Sequence, residues 1–186
     1  AAIWQQQYQS AGPDGASAAY MKYGCTPEIY AGVTVKGKEV LFRGGVDVVS
    51  IKPRNVGPNA DGLMVHVKDR KTSVLGYVYG QYNHKLLSIK AKTTFGEGGE
   101  HMKYAPMVNS SSWLSLCYGK KWQGVLYLGY VKNFGLAKTA GKQLAKEDVY
   151  FCGNGFSNIN QMYRINPQIL YNLGKFTLGL EYQWTA

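Results

Sequence analysis

An all-β, antiparallel, up-and-down sheet is the fold class this sequence predicts, and three observations predict it. The composition is wrong for helices. The 186 residues include 23 Gly and 6 Pro, which favour turns, and 15 Tyr, which suits pleated surfaces. Short turns recur along the chain. Between them, apolar and polar residues alternate with the period of two that belongs to a strand. An apolar content of 45% excludes a disordered chain, and there is no run of about 18 apolar residues to make a membrane-spanning helix.

The turns organise everything else. They are Lys36-Gly37-Lys38, Asn83-His84-Lys85, Gly119-Lys120-Lys121 and Asn172-Leu173-Gly174-Lys175. Each holds a residue that tolerates positive φ and is flanked by β-prone residues, as a tight hairpin requires. Longer connections over 55–72, 96–109 and 133–148 separate them. The repeat of short turn and long loop predicts hairpins with one tidy end and one ragged end. It gives about eight to nine strands in a single domain over 1–186. A short helix over 138–146, inside the third long connection, is the one exception.

In chain order, Ile3 to Tyr8 reads as part of a strand, and Gly12-Pro13-Asp14-Gly15 marks a loop. Ile29, Ala31, Val33 and Val35 alternate with Tyr30, Gly32 and Thr34. Val40, Phe42, Val46 and Val48 alternate with Arg43, Gly45 and Asp47. Residues 75–82 and 122–131 are strand-like, but their patterns leave the facing side open. Leu87, Ile89, Ala91 and Phe95 alternate with Ser88, Lys90, Lys92 and Thr94. Leu114, Leu116 and Tyr118 alternate with Trp113, Ser115 and Cys117. Ile165, Ile169, Tyr171 and Leu173 alternate with Arg164, Asn166, Gln168 and Asn172. The last segment is the clearest: Phe176, Leu178, Leu180, Tyr182 and Trp184 form one face, and Thr177, Gly179, Glu181, Gln183 and Thr185 the other. Its apolar face has aromatics at both ends and leucines between.

A sheet with one apolar and one polar face is stable in two ways. Two sheets bury their apolar faces against each other, or one sheet closes into a barrel with its apolar face in lipid. The aromatic-tipped terminal strand and the alternation of short turns with long loops favour the second. The expected architecture is therefore a transmembrane β-barrel of the bacterial outer-membrane kind, with Phe176, Tyr182 and Trp184 at the lipid interface. A soluble sandwich or small soluble barrel is the rival.

The chain resembles the carboxy-terminal half of DcaP-like outer-membrane porins. The resemblance rests on Pro27-Glu28-Ile29-Tyr30-Ala31-Gly32, on Gly44-Gly45-Val46-Asp47-Val48-Val49-Ser50-Ile51-Lys52-Pro53-Arg54, and on the ending Arg164-Ile165-Asn166-Pro167-Gln168 through Leu178-Gly179-Leu180-Glu181-Tyr182-Gln183-Trp184. Tyr20 to Gly24 fits as well, so the likeness covers most of the chain. It implies a Gram-negative outer-membrane location and contact with membrane lipid and lipopolysaccharide. It further implies passive diffusion of small, often anionic solutes, and a monomeric or trimeric assembly. Such porins are considerably longer, so the expectation is the carboxy-terminal portion of a larger barrel, with a complete eight-stranded barrel as the other possibility.

No catalytic constellation emerges. His66, His84 and His101 are scattered, and Ser110-Ser111-Ser112 has no acid or histidine at nucleophile spacing. Gly96-Glu97-Gly98-Gly99-Glu100 has no helix following a strand, as a phosphate cradle requires. Cys25, Cys117 and Cys152 give neither a disulfide framework nor a zinc pattern. No enzyme, metal or cofactor is expected. The informative chemistry is the net charge of +10. Lys36, Lys38, Lys85, Lys120, Lys121 and Lys175 sit in turns and solvate the rim. Arg43, Lys90, Lys92 and Arg164 fall on polar faces, with Asp47 and Glu181 as counter-charges. In a barrel these six would line the pore, and the cations would favour anions there. Nucleic-acid binding by stacking needs aromatics on the cationic face, whereas the terminal strand puts them on opposite faces. The alternative function is a plugged barrel that engages an envelope protein.

Overall fold

A computed structural model describes residues 1–4, 10–12, 15–17, 26–52, 55–66, 68, 70–97, 107–136 and 160–186. The described residues are all-β. The strands are β1 (Ala2–Trp4), β2 (Ser10–Gly12), β3 (Gly15–Ser17), β4 (Glu28–Lys36), β5 (Val40–Ile51), β6 (Val56–Pro58), β7 (Met64–His66), β8 (Lys71–His84), β9 (Leu87–Glu97), β10 (Met107–Gly119), β11 (Trp122–Leu136), β12 (Gln161–Leu173), β13 (Phe176–Glu181) and β14 (Trp184–Thr185). One antiparallel sheet runs in the order β1-β4-β5-β8-β9-β10-β11-β12-β13, with β14 also paired to β12. The pairs β2-β3 and β6-β7 are separate small hairpins. Among the described residues the sheet is open, with β1 and β13 as its edges.

All four predicted turns are turns of this meander. They connect β4 to β5, β8 to β9, β10 to β11 and β12 to β13. In the second, the positive φ falls on Lys85 (50°) rather than on Asn83; in the fourth it falls on Gly174 (62°). The ladders run past the strand ends into the turns. Asn83 N donates to Glu39 O at 2.8 Å, Gly119 N to Leu86 O at 3.0 Å, and Asn172 N to Lys121 O at 2.8 Å. Asn172 Nδ2 adds a bond to Lys120 O at 2.8 Å. Each hairpin turn is thereby tied to the next hairpin.

The ragged end departs from expectation in three ways. Residues 55–72, expected as loop, contain the β6-β7 hairpin and the first residues of β8. Strand β10 begins at Met107, and β11 continues to Leu136, because cross-strand pairing extends both beyond their alternating cores. At the amino end, Ala2–Trp4 pairs with β4 and not with a sequence neighbour. The helix expected over 138–146, together with Cys25, His101 and Cys152, lies outside the described residues.

The terminal strand, expected as one unbroken run, is divided at Tyr182-Gln183 into β13 and β14. Register does not change there: Gln168 faces Glu181 on one side of the break, and Arg164 faces Thr185 on the other. The cause is Pro167. It accepts from Tyr182 N at 3.0 Å but has no N–H to return the second bond of that pair.

The cross-strand registers assign every residue of the sheet to a face, including the two segments whose patterns left it open. On β8 the apolar row is Val74, Val78 and Tyr82, and on β11 it is Trp122, Leu126, Leu128 and Tyr130. These join Val33, Val46, Ile89, Leu114, Leu116, Ile165, Ile169, Leu178 and Leu180 in one apolar surface across the sheet. Aromatics border it at both ends. Tyr82, Tyr118, Trp122, Tyr171 and Phe176 lie toward the short turns, with Trp122 and Tyr171 at 4.5 Å between centroids. Phe95, Tyr130, Phe134, Tyr163 and Trp184 lie toward the long connections, where Tyr130 and Tyr163 pair at 4.9 Å and Phe95 meets Phe134 edge-on at 5.9 Å. From Trp122 to Tyr130 the strand measures about 27 Å at the ordinary strand rise.

Nothing covers that surface. Val33 is 69% exposed, and Phe176 and Leu180 are each 75% exposed. Among the described residues, Val49 is the only buried hydrophobic side chain, while Glu28, Lys52, Ser73 and Asn166 are buried polar ones. Along β12 exposed and less exposed residues alternate, and the exposed set includes Tyr163, Ile165 and Ile169. That is the reverse of a sheet that buries its apolar face on a protein core.

The turn geometry makes a direct prediction. Gly119 has φ of 125°, and a Cβ there would lie 2.0 Å from the Trp122 carbonyl oxygen. Gly119→Ala is expected to cost about 1–3 kcal/mol through backbone strain, read as a lower midpoint in thermal unfolding followed by far-UV circular dichroism.

Candidate functional site

Chemistry collects on the other face. The registers place Arg43 opposite Tyr79, Tyr79 opposite Lys92, Lys92 opposite Trp113, Trp113 opposite Gly129 and Gly129 opposite Arg164. These residues form a single belt at right angles to the strands, alternating cations with aromatics. Lys90 lies one step toward the short turns, between Gln81 and Ser115. Asp47 lies toward the long connections, opposite Tyr30 and Leu75. Glu181 is on the last strand, opposite Gln168. Thus Arg43, Asp47, Lys90, Lys92, Arg164 and Glu181 share one face, and Phe176 and Trp184 share the opposite one. Tyr182 stands at the break in the last strand, level with Pro167.

Tyr30 and Trp113 lie on this face as their alternation implies, and Tyr77, Tyr79 and Tyr127, whose patterns left the facing side open, join them. Tyr79 and Trp113 lie 6.1 Å apart at 55°, and Trp113 and Tyr127 lie 6.0 Å apart at 28°. Tyr30 and Tyr77 stack at 6.1 Å and 13°, with their hydroxyls hydrogen-bonded. The Lys92 ammonium sits 5.2 Å from the Tyr77 ring centroid, a cation–π distance. Glycines make room for these rings to lie along the sheet. A Cβ on Gly32 would meet the Tyr30 hydroxyl at 2.3 Å, and one on Gly45 would meet Tyr30 at 2.7 Å and Tyr77 at 2.8 Å. Gly129 lies under Tyr127, where a Cβ would come within 3.3 Å of the ring. The available signal was the pattern Tyr-x-Gly at Tyr30-Ala31-Gly32 and Tyr127-Leu128-Gly129, which puts ring and glycine on one face.

Electrostatically the belt is open. Neither Asp47 nor Glu181 makes an ion pair with the four cations; among the described residues the ion pair is His84–Glu39 at 2.9 Å, in the turns and half exposed. Arg43 Nε donates to Thr34 Oγ1 at 3.0 Å. Arg164 Nε and Asp47 Oδ1 are buried atoms without a hydrogen-bond partner, so each keeps polar capacity for something else. Amides and hydroxyls flank the belt. Tyr79 donates to Gln81 Oε1 at 2.8 Å, and Gln168 Nε2 to Asn166 Oδ1 at 2.6 Å. The reason given above against base stacking holds only for the terminal strand, because on β8 to β11 rings and cations do share a face. A nucleic-acid-binding sheet would still have to bury its second face, and here that face is bare.

A hollow of about 690 Å³ also lies over β9 to β12, lined along the apolar face by Ala91, Thr93, Ser112, Leu114, Leu128 and Ile165. The Thr93 and Ser112 hydroxyls satisfy each other at 2.7 Å, so this patch presents little free polarity. Ser110-Ser111-Ser112 lies within β10, and Cys117 is a free thiol on the same strand. Comparison with protein-family models, curated proteins and solved structures finds no match to the chain.

The glycine floor is testable. Gly45→Val forces Tyr30 and Tyr77 off the sheet and is expected to cost about 1–3 kcal/mol. Near-UV circular dichroism of the variant should show a diminished tyrosine signal, with far-UV strand content retained.

Proposed function

We propose that this chain forms wall of an outer-membrane β-barrel, of the kind found in DcaP-like porins, through which small hydrophilic solutes diffuse with a preference for anions. The observation that carries the reading is the reversed exposure of the sheet: a continuous apolar surface, bordered by aromatics at both ends, that no part of the described protein covers. Water makes such a surface costly, at about 25 cal/mol per Å². Hydrocarbon removes that cost, and aromatic borders suit the two interfaces. The ~27 Å from Trp122 to Tyr130, reduced by a strand tilt of about 40°, is of the order of the apolar band of such barrels. The other face supplies a wet wall, and its cations Arg43, Lys90, Lys92 and Arg164 outnumber Asp47 and Glu181 at the level of the belt. In a narrow pore with low-dielectric walls that excess enriches anions. Open strand edges do not persist in lipid, so this reading requires the β1 and β13 edges to be paired, with each other or with further strands. Membrane lipid and lipopolysaccharide are its surroundings, and a monomer or homotrimer is the assembly the resemblance implies.

Planar-bilayer recordings with a salt gradient test the reading. The expected result is a passive conductance whose reversal potential has the sign of anion selectivity, and Lys92→Gln with Arg164→Gln should move it toward zero. A cation-selective sign overturns the preference. Silence of a correctly inserted protein favours the plugged, partner-binding barrel.

Leu180→Lys separates membrane from water independently. At the centre of a lipid-facing strand the substitution is expected to cost about 2–4 kcal/mol, read as loss of the folded, heat-modifiable band on semi-native gels after refolding into vesicles. At an exposed site of a soluble protein it would change stability by no more than about 0.5 kcal/mol, and that result would refute a lipid-facing sheet.

A further inference from the structure

The belt is more specific than an anion filter needs to be. Charge selectivity alone requires cations, yet Trp113 stands between Lys92 and Gly129 and continues into Tyr79 on one side and Tyr127 on the other. Three rings in succession, on β8, β10 and β11, make a platform that spans three strand spacings, roughly 14 Å. Rings on a wetted face are paid for by lost alternatives there, and they bind flat apolar surfaces by stacking. One cation lies between two of the rings and another beyond the last of them. Lys92 is directly across from Trp113, and Arg164 lies beyond Gly129 with its buried Nε unpartnered. Hydrogen-bonding side chains run along both margins: Gln81, Ser115 and Asn166 toward the short turns, and Thr94 and Ser111 toward the long connections.

From this juxtaposition we propose that the Tyr79-Trp113-Tyr127 platform, with Lys92 between its first two rings and Arg164 beyond it, is a transit site for a ring-form sugar acid such as a hexuronate. The C–H face of the pyranose stacks on Trp113 and Tyr127. The carboxylate meets Lys92 or Arg164, and the hydroxyls exchange bonds with the amide and hydroxyl margins. The margins are what favour a hydroxylated ring over an aromatic acid, since benzoate has no use for them. The proposal rests on the porin reading and deepens it.

The test uses single channels of the whole chain in a planar bilayer, with glucuronate as the probe and three controls: gluconate for charge without a ring, glucose for a ring without charge, and benzoate for a charged ring without hydroxyls. Glucuronate is expected to interrupt the current at concentrations about tenfold below those of any control. Trp113→Ala should raise that concentration about tenfold, and Trp113→Phe should leave most of the effect. Conducting channels that treat glucuronate and gluconate alike overturn the platform and leave the porin reading standing. Equal block by benzoate overturns the assignment to a hydroxylated ring. Absence of any conductance overturns both readings together. The wild-type comparison decides the matter even where a Trp113 variant fails to fold.

Discussion

The structure depends on one imbalance: a single layer of sheet carries an apolar surface that no second layer of the described protein meets. In most β proteins the alternation of side chains is resolved internally, because two sheets or a sheet and a helix exclude water from the face they share. Here the side chains with most hydrocarbon, such as Leu180 and Val33, are among the most exposed, while Glu28 and Asn166 are buried. Whatever surrounds the molecule must do what a core does elsewhere.

The opposite face follows from the same imbalance. Large rings that lie along the strands of that face need small neighbours beneath them. Gly32 and Gly45 supply them for Tyr30 and Tyr77, and Gly129 does so for Tyr127. Glycine weakens a strand through its freedom and its missing side chain. A ring lying over the gap restores contact and shields the backbone. The rings therefore serve structure and surface chemistry together, and the cations between them are held in a row by hydrogen-bond register and not by ion pairs.

Much of this was legible in the residues, for physical reasons. Tight turns have narrow chemical requirements, so Gly37, Gly119 and Gly174 announce them. Strands with one aliphatic and one polar row, such as 87–95 and 164–173, declare their faces. Residues 75–82 and 122–131 do not, because Tyr and Trp suit either face and their glycines suit neither. Their facing side is settled only by neighbours: Val78 lies opposite Thr93, and Leu128 opposite Leu114 and Ile165. The belt was hidden for the same reason, since Tyr79 and Trp113 share a row, with Tyr127 one step away, only once β8 to β11 are aligned. The break at Tyr182 was hidden too, because its cause lies in the adjacent strand, at Pro167.

The bonds that carry each ladder into the next turn have a mechanical consequence. Glu39 is joined to Asn83, Leu86 to Gly119, and Lys121 to Asn172. A hairpin that slid by one residue would send its apolar row to the polar face and would also wrench apart the junction with its neighbour. The tidy rim thus works as a row of latches. Each hairpin that arrives correctly fixes the alignment of the one beside it, and an error made anywhere is felt at once by the adjoining pair.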